Sequence, residues 1–434
     1  MTAVVIGAII IFVLSYYGIV SKRIHRTIAA LAGAVGMLLF GHALGFYDTH
    51  AAIDYIDFNT IGLLLGMMIL VGLLGETGFF KYVAIKTAKA SEGSYYRLLA
   101  FFVLVTAFTS AFLDNVTTIL LIAPVTITIA KEMEINPIPF LMVNIVSANI
   151  GGTATLIGDP PNVIISSATG INFNEFLLYL APIVIIILFV ILLAFELIYK
   201  DVVESDIENF SKISKLDEKG AITNKPLLNK ALLVLLITII LFLFHHIIGI
   251  EPWLVAITGA SLLLLLSLPD PEEALQHVHW TTLLFFASKF ILIGGLDKAG
   301  IIKMIGFGMV NAAGGSIVLS LFIVLMVAGL SAILIGNIPA VIALIPAIEI
   351  FISQSQMFEG FAVNPLWWAL SLGVCLGGNG TLISSHTNMI VSSISGKMGY
   401  PLSYWKYTKT GLPITILSLF SAFFLLVLFF VVIL

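Results

Sequence analysis

The 434-residue chain has one cysteine, Cys375, which excludes an internal disulfide and a cysteine-built metal site. Charge is also scarce: 10% of residues are Asp, Glu, Lys or Arg, against about 25% in an average soluble domain. Only one long polar interval exists, 200–230, and its charges alternate in sign as in a solvated connector. A phosphate-cradling loop and a nucleophile–base pair are both missing, which removes support for an ATP-driven pump or an intramembrane hydrolase. No basic run interleaved with aromatics points to nucleic acid, and the net charge of −4 names no partner.

What is plentiful is apolar. Hydrophobic residues make up 60% of the chain, and mean hydropathy is +1.12. Runs of about 20 such residues recur, the length a bilayer-spanning helix needs. The expected class is an all-α polytopic membrane protein, with lipid as its surroundings. The first run, 3–19, is followed by its basic cluster SKRIHR, whereas a secretory signal carries charge in front. It is expected to stay as a first helix.

The two sides of the polar interval resemble each other. DFNTIGLLLGMMILVGLLGETG (57–78) lies over HWTTLLFFASKFILIGGLDKAG (279–300) at an offset of 222. The same offset sets DNVTTILLIAP (114–124) on GNIPAVIALIP (336–346). At an offset of 226, GGTATLIGDPPN (151–162) falls on GGNGTLISSHTN (377–388). Chance likeness between apolar helices favours Leu and Ile, not shared Gly, Thr and Asn. Repeats of this kind mark secondary transporters.

The expected organisation is therefore a first repeat over 1–199, a cytoplasmic linker over 200–230 and a second repeat over 231–434. Each repeat would have about five crossings, a re-entrant hairpin (98–131 and 316–353) and a discontinuous helix (137–175 and 364–395). An odd number of crossings inverts the second repeat. With both termini outside the cell's inner membrane, 17 of the 20 Lys and Arg fall inside, Lys22 and the linker lysines among them. Lys298 and Lys303 fall outside and Lys289 lies within a helix, in keeping with the positive-inside rule.

The chemistry is expected where these helices break. Non-helical backbone at membrane depth survives only buried in protein or lining a wet cavity. The first hairpin would turn at Asp114, Asn115, Thr117 and Thr118, on half-length arms, and the second at Gly336–Pro339. At 151–162 and 377–388, Gly and Pro interrupt the apolar pattern, freeing carbonyls at one half-helix end and N–H groups at the other. Ionisable groups at this depth are costly, so Asp114, Asp159, Lys289 and His386 are functional candidates. Asp159 beside carbonyls and side-chain oxygens suits sodium or a proton. Lys289, about nine residues or ~13 Å into its helix, could neutralise a carboxylate, replace a coupling cation or attract an anion. His386 could relay protons or line the site.

The stretches FLDNVTTILLIAP, NIGGTATLIGDPPNVI, LDEKGAI, GGNGTLISSHTNMIV and GYPLSYWKY are similar to the ion transporter superfamily. The nearest likeness is to its arsenite permease (ArsB) and sodium/proton antiporter (NhaD) branch, which includes P protein-type permeases. That resemblance implies a homodimer in which a transport part moves, elevator-like, against a scaffold part. It carries a first cation-type site onto Asp114, Asn115, Thr117, Gly151, Thr153 and Asp159. A second falls on Asn337, Asn379, Thr381, Ser384, Thr387 and Asn388. The solute is expected among Asn115, Thr117, Thr155, Asn162, Asn337, Asn379, Thr381, Ser384, Ser385, His386 and Asn388. Lys289 joins the coupling-ion group, and bound sodium is the one cofactor-like species implied.

Three departures matter. The Ser-Asn-Thr hairpin signatures of dicarboxylate–sodium symporters are DNVT and GNIP here, SSHTN replaces a small-residue version of the second break, and Lys289 stands at a usually uncharged position. The expected activity is cation-coupled efflux of arsenite or antimonite, with sodium/proton antiport and sodium-coupled dicarboxylate or citrate transport as alternatives.

Overall fold

The computed structural model describes residues 2–21, 23–200, 207, 210–354 and 363–433. Lys22 of the basic cluster and positions 201–206, 208 and 209 of the expected linker lie outside the described residues. Helices carry the fold, no strand occurs among the described residues, and eleven helices are long and apolar enough to cross a membrane.

The first side comprises α1 (Thr2–Val20), α2 (Arg26–Leu44), α3 (Thr49–Tyr55), α4 (Phe58–Glu76) and α5 (Phe79–Ala90). It continues with α6 (Tyr95–Phe112), α7 (Asn115–Glu132), α8 (Ile138–Gly152), α9 (Pro160–Thr169) and α10 (Phe173–Ile198). A short helix, α11 (Phe210–Ser214), lies in the connector. Then come α12 (Lys225–Ile248), α13 (Pro252–Ser267), α14 (Pro271–Gln276), α15 (Trp280–Lys298) and α16 (Ile301–Ala313). The chain closes with α17 (Ile317–Ile335), α18 (Asn337–Gln354), α19 (Pro365–Gly377), α20 (His386–Lys397) and α21 (Tyr404–Val427), whose end runs on as a short π-helix. The ten helices before α11 and the ten after it follow the same order of long and short elements.

Burial separates the interior from the lipid-facing shell. Every residue of α8 and of α19 is buried. A helix apolar all round belongs in the middle of a bundle. Only about a third or less of the most apolar window is buried in α1, α10, α12 and α21. Large apolar side chains such as Leu14, Phe189 and Ile247 point outward, as lipid requires.

The connector lies against the first side. The backbone N–H of Ile207 donates to Gly93 O and that of Thr223 to Thr77 O, at 2.9 and 3.0 Å. Lys212 pairs with Glu134 at 2.5 Å, and Lys89 pairs with Glu218. Gly93 precedes α6 and Glu134 follows α7, so both ends of the first hairpin meet the connector.

The hairpins differ from expectation in one respect. Their arms are helices of 18 or 19 residues, about 27 Å each at 1.5 Å per residue, not half-length pieces. The tips are nevertheless buried, Asp114 and Asn115 at 1% exposure and Asn337 at 4%. Arms of this length hide their turn only because α8 and α19 are themselves interrupted where the tips arrive.

Candidate functional site: two tips against two helix breaks

Each interruption follows from composition. α8 ends at Gly151-Gly152, the chain turns through 153–159, and α9 restarts on Pro160-Pro161, which need no N–H partner in a first turn. α19 ends at Gly377, and α20 restarts at His386. The glycines permit contact with a hairpin arm. A β-carbon on Gly151 would lie 2.3 Å from Ala107 O, and one on Gly377 would lie 2.5 Å from Gly329 O.

The same bonds then fasten tip to break on both sides. Asn115 N donates to Gly158 O at 3.0 Å, and Asn337 N donates to Ser384 O at 3.0 Å. Thr155 Oγ1 donates to Ala111 O, and Thr381 Oγ1 to Ile333 O. Asn162 Nδ2 and Asn388 Nδ2 donate at 2.8 Å to the carbonyls of Thr155 and Thr381. Every pair is related by the 222 and 226 offsets of the sequence repeat. One difference is explained by backbone. Gly336 has φ +92°, a region that disfavours any β-carbon, so the counterpart of Asp114 carries no side chain.

Many expected site groups act as pins. Both oxygens of Asp114 accept from Thr117, from its N at 2.9 Å and its Oγ1 at 2.5 Å, so Asp114 caps α7. Gly151 O accepts from Ala154 N, and Thr153 Oγ1 donates to Asn149 O. Ser384 Oγ donates to the carbonyls of Gly378 and Thr381 at 2.7 Å. These atoms are committed to shaping the breaks.

A second set of bonds joins one side to the other. Asn337 Nδ2 reaches Asp159 Oδ1 at 3.3 Å. Asn149 Nδ2 donates to Asn379 Oδ1 at 2.8 Å and Asn388 Oδ1 at 3.0 Å, while Asn149 Oδ1 accepts from Asn115 Nδ2 and Ser385 Oγ. Ser371 Oγ donates to Asn162 Oδ1 at 2.6 Å. Sequence reasoning missed Asn149 and Ser371. The available signal for Asn149 was an amide immediately before the Ile150-Gly151-Gly152 break.

Several buried polar atoms at this junction have no partner: Asp159 Oδ2, Asn115 Oδ1, Asn379 Nδ2, Thr387 Oγ1 and His386 Nε2. An orphaned polar group costs on the order of 1–3 kcal/mol, more when charged. Asp159 is fully buried, beside Asn115 and Cys375, and shares neither an ion pair nor a lysine with its carboxylate among the described residues. Asp159 Oδ2 and Asn115 Oδ1 are thus two buried acceptors left without a donor. Lys289 and His386 gather around Phe285, beside the second tip.

Comparisons agree with this architecture. The family model described as "CitMHS: Citrate transporter" matches residues 16–373. A 46 kDa membrane protein of Mycobacterium leprae is 40% identical over 415 residues, covering 95% of this chain and 96% of that one. An uncharacterized transporter of Mycobacterium tuberculosis is 39% identical over 417 residues, covering 95% of both. The mouse P protein is 31% identical over 96% of this chain, which spans 59% of its length. Among solved structures, the YdaH transporter of Alcanivorax borkumensis, described as having an unusual topology, aligns with a TM-score of 0.59. That alignment covers 93% of this chain and 98% of the other at 12% identity, a likeness of fold alone. The chain is thus a multi-pass helical membrane protein that belongs to the CitMHS citrate transporter family.

Proposed function

We propose that the protein is a cation-coupled secondary active transporter whose coupling ion, sodium or a proton, binds at Asp159. The observation that carries this reading is the fully buried Asp159 carboxylate, whose Oδ2 has no hydrogen-bond partner, at a junction where Asn115 Oδ1 also lacks one. An ionised carboxylate so placed needs a positive partner, and among the described residues no side chain forms an ion pair with it. Because Asn337 and Asn149 bind across the junction, cation occupancy on one side is felt by the other. Asp114 supports the site by fixing the first turn of α7.

The two hairpins and the two broken helices form the part that moves, elevator-like, against the remaining helices. The molecule works as a homodimer in the inner membrane, with termini outside and the connector in the cytoplasm. The amide-rich junction of Asn115, Asn149, Asn379 and Asn388 offers hydrogen bonds rather than net charge, which suits a small neutral hydroxide. Arsenite or antimonite efflux, as in the ArsB branch, is the cargo assignment it favours. A carboxylate solute is the second reading, supported by the family's description. In sodium/proton antiport, as in the NhaD branch, the ion at Asp159 would itself be the cargo.

Proteoliposome flux assays test the cargo. Arsenite, sodium and citrate are each offered under an imposed sodium or proton gradient. Gradient-driven arsenite movement is the expected result. Sodium flux driven by protons alone, or citrate flux alone, selects one of the other readings, and flux that ignores both gradients removes coupling altogether.

A further inference from the structure

We propose that the cavity behind the second tip is an anion-binding site, separate from the cation site at Asp159. Its walls include Lys289 from α15, His386 from the start of α20, Tyr16 from α1 and Asn337 from the tip. The accessible space is about 20 Å³, room for one water-sized group. That admits a single small inorganic anion, or one end of a carboxylate carried by a larger solute.

The case rests on charge without counter-charge. Lys289 and His386 are 5% and 6% exposed. Lys289 Nζ sits 3.9 Å above the centre of Phe285, the His386 ring is 4.6 Å from the same ring, and the Arg26 guanidinium is 5.8 Å away. No Asp or Glu lines the cavity, and none of the three basic groups makes an ion pair among the described residues. Arg26 has only Met389 Sδ as a polar contact. His386 Nε2 and Tyr16 Oη are buried with no hydrogen-bond partner.

Basic and hydroxyl groups therefore line the space with no acidic side chain among them. The ring face of Phe285 offsets only part of the ammonium's charge. Ser385, at the N-cap of α20, makes no side-chain cap, so the positive end of that helix adds to the field. A ligand that only accepts hydrogen bonds and bears negative charge completes the site. Asn337 stands between the two sites, with its amide on Asp159 and its residue in the cavity wall. A cation at Asp159 and an anion behind Asn337 would then favour each other. This goes beyond the proposed coupling, which requires no anion.

The test uses the purified full chain and thermal unfolding in choline salts at constant ionic strength, with bulky methanesulfonate as baseline. Choline chloride probes a free small anion and choline citrate a carboxylate source. A saturable rise in melting temperature is expected with one of them. Lys289→Gln and His386→Gln should each weaken it about tenfold, as loss of one charge-assisted hydrogen bond implies. Tyr16→Phe, which keeps the ring, should weaken it less. A wild-type protein indifferent to both salts overturns the proposal. So does a shift that survives unchanged in folded Lys289→Gln, His386→Gln and Tyr16→Phe.

Discussion

Asn337 donates its side-chain amide to Asp159 across 3.3 Å, linking the hairpin tip of one half of the chain to the helix break of the other. Asn149 makes the reciprocal link, from the first broken helix to Asn379 and Asn388 in the second. Each tip is also bonded to its own break. The two tips and the two breaks thus bond to one another in the buried interior, and whatever binds there bears on both halves.

Asn149→Ala removes the amide that serves Asn115, Asn379, Asn388 and Ser385 together. Leaving buried partners unmet should cost at least about 2 kcal/mol, read as a lower melting temperature in detergent. A melting temperature equal to wild type would remove Asn149 as the link between halves.

Close backbone approach at the breaks gives a sharper steric forecast. Gly151→Ala puts a β-carbon 2.3 Å from Ala107 O, backbone that cannot swing aside. Destabilisation of about 1–3 kcal/mol or more should follow. Gly308→Ala, in α16 with nothing within 4 Å of the new carbon, should be neutral or gain up to about 1 kcal/mol from helix propensity. Equal thermal stability of the two variants would argue against the close contact of α6 with α8.

The connector makes an acid-sensitive contact. The hydrogen bond from Lys89 holds the Glu218 carboxyl below the usual range. A carboxyl lowered in the folded state contributes its stabilisation above its unfolded value and loses it as pH falls through the folded one. Acidification below the ordinary glutamate range should therefore loosen 210–221, and Glu218→Gln should do so at neutral pH. Amide hydrogen exchange over 210–221 that, corrected for its intrinsic pH dependence, is unchanged on acidification and in Glu218→Gln would contradict this.

Much of this arrangement was legible in the sequence because the devices repeat. Gly151 and Gly377, Thr155 and Thr381, and Asn162 and Asn388 all recur at one offset, and each pair makes the same contact in space. Arm length was not legible. Polar residues at the centre of 98–131 mark a turn, but how far the arms extend depends on where α8 is interrupted. Nor could the sequence separate pins from free groups. Thr153, Thr381 and Ser384 look as ligand-like as Asp159, yet their hydroxyls are spent on the carbonyls of Asn149, Ile333 and Gly378. Asn149 has no polar counterpart at the repeat offset, where Cys375 stands, so comparison of the two halves passes over it.

Coupling at Asp159 is tested most directly by gradient-driven flux in proteoliposomes containing wild type or Asp159→Asn. Asparagine keeps the size and the acceptor for Asn337 while removing the charge. The account predicts a variant that folds and inserts like wild type, with flux that no longer responds to a sodium or proton gradient. Wild-type gradient dependence in Asp159→Asn would contradict it.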